Sequence, residues 1–128
     1  PVQDVEIELV ITPKMSFGTG HHPTTFLMVE AMGQIDFRNK KVFDFGTGTG
    51  ILAILAEKLG AASVMAIDND EWSIANGQEN IRRNHCSSVQ LHHASSVPPG
   101  PFQVILANIN RNVILMHLPF LVQALLPG

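Results

Sequence analysis

A single cysteine, Cys86, stands in the 128 residues. One thiol cannot form an intramolecular disulfide, so this is no cystine-stapled scaffold, and a reducing cytoplasm is the expected setting. Charge is also scarce. Charged residues make up 15% of the chain, the net charge is -3 and the isoelectric point is near 6.0. That balance carries no overall basic excess, so direct nucleic-acid binding and attraction to an anionic membrane surface are not expected. No apolar run approaches the ~20 residues that span a bilayer. Internal repeats and low-complexity segments are missing too, which sets aside solenoids and arrays. The six histidines keep no recognisable zinc spacing with the one cysteine. Adjacent His21 and His22 point apart in most backbone conformations, so no metal is expected. What remains is a chain with 45% hydrophobic residues, enough for one globular domain with a core of moderate size.

The apolar residues fall into alternating short runs and longer amphipathic stretches. "VEIELVI" (Val5 to Ile11) alternates apolar and acidic residues, the period of a half-exposed strand. Pro23 suits the first turn of a helix that runs to about Met32. "KKVFDFG" reads as a strand ending in glycine, and "ILAILAEKLG" as a helix stopped at Gly60. "ASVMAID" is the next strand, ending on Asp68. Residues Glu71 to Asn84 follow as a helix capped by Asp70. "VQLHH" and "FQVILAN" are further strands separated by the rigid "PPGP". "NVILMHLPFLVQALL" closes the chain as an apolar helix with a possible kink at Pro119. Strands and helices alternating at this spacing predict βαβ units. The fold class is therefore α/β, a doubly wound, Rossmann-like parallel sheet covered on both faces.

Two glycine-rich stretches carry the chemistry. In "VFDFGTGTGILA", Gly46, Gly48 and Gly50 occupy a strand-to-helix turn. Glycine there permits a sharp turn and lets a ligand approach backbone amides without a Cβ in the way. The next helix then directs its first N–H groups toward negative charge. A dinucleotide fingerprint reads G-x-G-x-x-G, but here Ile51 stands where the third glycine belongs, which argues against NAD or FAD. Asp68, 22 residues beyond Gly46 in the numbering, ends the adjacent strand. From there a carboxylate can accept hydrogen bonds from two ribose hydroxyls. The other stretch, "SFGTGHHPTT", opens a helix about twenty residues earlier, and two such clusters facing one place suggest a ligand held from both sides.

The string "SFGTGHHPTT…VFDFGTGTGILAILAEKLGA…AIDND…ANI" resembles the ribosomal protein L11 methyltransferase (PrmA type) family of class I S-adenosylmethionine-dependent methyltransferases, over residues 13 to 128. The resemblance implies S-adenosyl-L-methionine as cofactor. It implies that Phe17, Gly18, Thr19, Thr24 and Thr25 belong to a loop that folds over it, with Thr25 in contact. It also places Asp44, Gly46, Thr47, Gly48, Gly50, Asp68, Asn69, Ser95 and Asn108 at the cofactor. Under this reading residues 1–12 are a linker or edge strand from an N-terminal region, and 13–128 are the methyltransferase domain without its C-terminal strands.

Asn108 follows the last strand, at the sheet edge where ligands bind. Its side-chain carbonyl can accept a hydrogen bond from an acceptor N–H and aim the nitrogen lone pair, which makes it the candidate catalytic residue. It can equally cap the last helix. Methyltransferases acting on bases or amides carry N/D-P-P-aromatic here. This chain has Asn108, Ile109, Asn110 and Arg111, so a flipped base would lack its stacking platform. Asn108 and Asn112 reproduce the N-I-x-x-N pattern of the resembled family. The implied activity is methylation of amino groups on ribosomal protein L11. The alternatives are another protein lysine or a small amine as acceptor, a nucleotide-binding oxidoreductase module, and a non-catalytic fragment. With the family's later strands absent, "FQVILA" is expected to leave an open edge. That edge would either drive self-association or pair with "VEIELVI" of the same or another chain.

Overall fold

The computed structural model describes residues 8–11, 28–107 and 111–125. Five strands, β1 (Glu8–Ile11), β2 (Lys41–Phe45), β3 (Ser63–Asp68), β4 (Val89–His93) and β5 (Val104–Ala107), form one sheet in the order β1-β5-β2-β3-β4. Every pairing is parallel. Three helices, α1 (Ile51–Lys58), α2 (Glu71–Arg83) and α3 (Arg111–Leu125), alternate with the strands, and residues 28–32 are also helical.

The side-chain alternation of β2 explains why the sheet has two cores. Val42 faces one side with Met28, Met32, Phe37, Leu52, Ala53 and Ala56. Phe43 and Phe45 face the other, with Ile67, Phe102, Ile105 and Leu121. Such two-sided burial is what an internal parallel strand requires, and it is why β2 and β5 read as nearly continuous apolar runs. On the second face Phe43 stacks on Phe102 with ring centroids 5.1 Å apart.

Local signals set the element ends. α1 buries Leu52, Ala53 and Ala56 as one stripe and stops before Gly60, whose φ of 106° lies where glycine is at ease. α2 starts at Asp70, whose side chain accepts from the Ser73 N–H at 3.0 Å. Between β4 and β5 the chain runs through the Pro98–Pro101 stretch without a helix. The Phe102 N–H donates to the Ala124 carbonyl at 2.8 Å, which ties this stretch to α3.

The open edge expected at the fifth strand is not found. β1 pairs with β5 in register from Glu8↔Val104 to Ile11↔Ala107. The segment expected to pair thus does so within the chain, and the motive for self-association through β5 is removed.

Because all five strands are parallel, their carboxyl ends share one edge. From β2 the chain winds outward through β3 and β4, then crosses back to place β5 on β2's other side. The winding reverses between β2 and β5, and such a switch point opens a crevice for ligands at the carboxyl edge.

Candidate functional site

At that edge β2 runs into the turn Gly46–Gly50. The three glycines adopt φ of 73°, 59° and 86°, values that L side chains rarely tolerate. A Cβ on Gly48 would meet nothing within 4 Å. The backbone there faces open space, as a ligand cradle needs.

The turn is held from several directions. Gly46 and Thr47 both donate their N–H groups to the Ile67 carbonyl, at 3.0 and 2.9 Å. Thr47 Oγ1 donates to Asp44 Oδ2 at 2.7 Å, and Asp44 is buried with 1% exposure. At that depth Asp44 braces the turn from beneath. Gly50 caps α1 in a left-handed conformation with no side-chain cap, so the first amides of α1 keep no side-chain partner from it.

Asp68 closes the site from β3. Its Oδ2 accepts from the Gly48 N–H at 2.8 Å and its Oδ1 from the Asp70 N–H at 3.0 Å. Each carboxylate oxygen carries two lone pairs, so one amide bond on each leaves one acceptor position on each. Two adjacent hydroxyls are the ligand groups that match such a pair. The acidic loop is fixed as well: His93 Nε2 donates to the Asn69 carbonyl at 3.0 Å. A carbonyl can only accept, so the proton sits on Nε2. The Ser73 hydroxyl and N–H beside Asp70 hold its carboxyl below the usual range.

Of the candidate residues, Asp44, Gly46, Thr47, Gly48, Gly50, Asp68 and Asn69 come together at the β2 and β3 ends, and Ser95 lies just past β4. Phe17, Gly18, Thr19, Thr24, Thr25 and Asn108 lie outside the described residues. Asn108 directly follows Ala107, the last residue of β5. Two contacts went unread in the sequence. Asn80 Nδ2 donates to the Thr49 carbonyl at 2.9 Å, and His93 anchors Asn69. The available signal for Asn80 was its place on the face of α2 that buries Gly77 and Ile81. Among the described residues no group of three or more His, Cys, Asp or Glu side chains could hold a metal, and no helix is long and apolar enough to cross a membrane.

The sheet order, the glycine turn and the carboxylate ending β3 define a class I methyltransferase fold, which solved structures share. One is the ribosomal protein L11 methylase of Lactobacillus delbrueckii subsp. bulgaricus, with a TM-score of 0.77 and 37% identity over 84% of this chain and 56% of that one. The model of the ribosomal protein L11 methyltransferase (PrmA) family matches residues 1–128, and the chain belongs to that family. Relatives include the ribosomal protein L11 methyltransferase of Porphyromonas gingivalis, 51% identical over 88% of this chain and 40% of the relative. That of Bacteroides thetaiotaomicron is 42% identical over 99% of this chain and 46% of the relative. The chain thus spans less than half the length of these relatives.

Proposed function

We propose that this chain binds S-adenosyl-L-methionine and forms the cofactor-binding part of a protein N-methyltransferase whose acceptors are amino groups of ribosomal protein L11. One observation carries the reading: a turn of three left-handed glycines is bonded to Asp68 at the sheet's switch point, leaving one acceptor position on each carboxylate oxygen. The residues present suit the cofactor. Asp68 matches the ribose diol, and the uncrowded backbone at Gly48 gives room for close approach. Family membership supports the same assignment.

The cofactor supplies a methyl group on a sulfonium, open to in-line displacement by an amine. The chain's task is therefore alignment rather than strong base catalysis. Asp68 and the glycine turn fix the adenosyl end. Asn108 orients the acceptor nitrogen through its side-chain carbonyl, and Thr25 and the residues around it cover the cofactor. A lysine acceptor must lose a proton first, and a desolvated position beside a sulfonium lowers its pKa from about 10.4. The protein is placed in the cytoplasm, where its ribosomal substrate is made, with no direct contact to nucleic acid or membrane.

Calorimetry with S-adenosylhomocysteine tests the binding half. Transfer of labelled methyl from the full-length enzyme to purified ribosomal protein L11 tests the other. Labelling of L11 is expected; labelling of a different protein or a small amine, with L11 silent, reassigns the acceptor.

A further inference from the structure

The cofactor reading leaves one contact behind the glycine turn without a use. Asn80 sits within the last turn of α2, where asparagine is a poorer helix former than alanine. Its side chain does not bond its own helix. It reaches across 31 residues of sequence and donates Nδ2 to the Thr49 carbonyl at 2.9 Å, in a half-buried position. Gly77, one turn earlier, is buried between this turn and β4. A Cβ there would come within 2.7 Å of Leu91 Cδ2 and 3.6 Å of the Gly48 carbonyl oxygen. Glycine at 77 thus lets α2 close on the turn, and Asn80 makes the bond.

The bond falls on a peptide that is otherwise easy to rotate. Gly48 and Gly50 flank Thr49, both at positive φ, and glycine opposes rotation of neighbouring peptide planes less than any other residue. The N–H of the Thr49–Gly50 peptide donates to the Thr47 carbonyl at 3.0 Å. Its carbonyl is the group Asn80 holds. Rotating this peptide would break both bonds together. Asp68 likewise holds the Gly48 N–H of the same turn, at 2.8 Å.

We propose that Asn80 is a positioning residue for the cofactor turn: through the Thr49 carbonyl it sets the backbone geometry to which the adenosyl ligand binds. The proposal rests on the cofactor reading above. Its distinguishing consequence concerns donor chemistry. A side chain at 80 that can donate preserves the turn, and one that can only accept turns a lone pair on the Thr49 carbonyl and pushes it away.

The test is calorimetry of S-adenosylhomocysteine binding at pH 7.5 and pH 5.0, with thermal melting in parallel. It compares the wild-type chain with the Asn80→Ala and Asn80→Asp variants. At pH 7.5 the Asn80→Ala variant is expected to bind about 3- to 10-fold more weakly, the scale of one lost hydrogen bond. The Asn80→Asp variant, isosteric but unable to donate when ionised, is expected to lose more than about 10-fold. At pH 5.0 a fraction of its carboxyl groups facing the carbonyl regain a proton and donate again, so its deficit relative to wild type at the same pH is expected to narrow. Equal affinities for all three chains overturn the proposal. So does a deficit in the Asn80→Asp variant that stays the same at both pH values and tracks a lower melting temperature, which marks a role in helix stability alone. A wild-type chain that binds no S-adenosylhomocysteine overturns the cofactor reading itself, and the proposal with it.

Discussion

Asp68 is engaged twice by its own backbone before any ligand arrives, and this shapes what its removal does. The Asp68→Ala variant loses the acceptor pair proposed for the ribose and also frees the Gly48 and Asp70 amides. S-adenosylhomocysteine affinity is expected to fall by about 1.5–3 kcal/mol, the range for hydrogen bonds to a charged group; unchanged calorimetric affinity removes Asp68 from the site. Asn108 is proposed to act on the other partner. In the full-length enzyme Asn108→Ala is expected to lower single-turnover methyl transfer by on the order of 100-fold with little change in cofactor affinity, because a misaligned acceptor costs rate and not binding. Weak cofactor binding with normal chemistry moves Asn108 to the cofactor instead. Asp70 gives a prediction with a definite sign. Its folded carboxyl is depressed, chiefly by the Ser73 hydroxyl, so the cap's electrostatic benefit is present above the unfolded carboxylate value of about 3.9 and is lost as pH falls through the lower folded value. The melting gap between wild type and Asp70→Ala should therefore hold steady from pH 5 to 8 and shrink in stronger acid.

At the scale of elements, the stretch between β4 and β5 shows how a loop can be as constrained as a helix. Gly100 has φ of 75°, and a Cβ there would lie 2.5 Å from the Ala124 carbonyl oxygen of α3. Backbone atoms cannot swing aside as a flexible side chain can. Gly100→Ala is expected to destabilise the fold by about 1–3 kcal/mol, from strain at positive φ and from crowding; denaturant midpoints equal to wild type would contradict this. That constraint was invisible in "PPGP", which announces a rigid loop but not the helix it leans on. The elements themselves were legible. β4 is "VQLHH" as read, α2 begins at Asp70, and α1 ends before Gly60, because alternation, caps and glycine stops are local properties. Asn80 was not legible for the converse reason: its partner lies 31 residues away, and its place on the buried face of α2 beside Gly77 and Ile81 does not say which group it reaches.

For the whole molecule, the position of β1 was legible only as one of two outcomes. Its alternation marked it as a strand and "FQVILA" was the edge expected to need a partner, but whether that edge would pair with β1 or self-associate is settled only by the assembled order β1-β5-β2-β3-β4. Removing residues 1–11 is expected to uncover the apolar edge of β5 and to produce concentration-dependent association in sedimentation, since unpaired strand edges recruit other strands. A truncated chain that stays monomeric would show that β5 tolerates exposure. β1 has one more consequence. Being parallel to β5, it ends at Ile11 opposite Ala107, so the polypeptide leaves it at the carboxyl edge, and by Met28 it has re-entered the core. The two fixed points that bracket residues 12–27 are thus the carboxyl end of β1, separated from β2 by β5, and Met28 in the core. On the cofactor reading proposed above, an encounter of that stretch with the ligand would be intramolecular, governed by an effective concentration that the two anchors set and not by diffusion of a free segment. On that proposal, loss of β1 is expected to quicken cofactor release even where the glycine turn itself is intact.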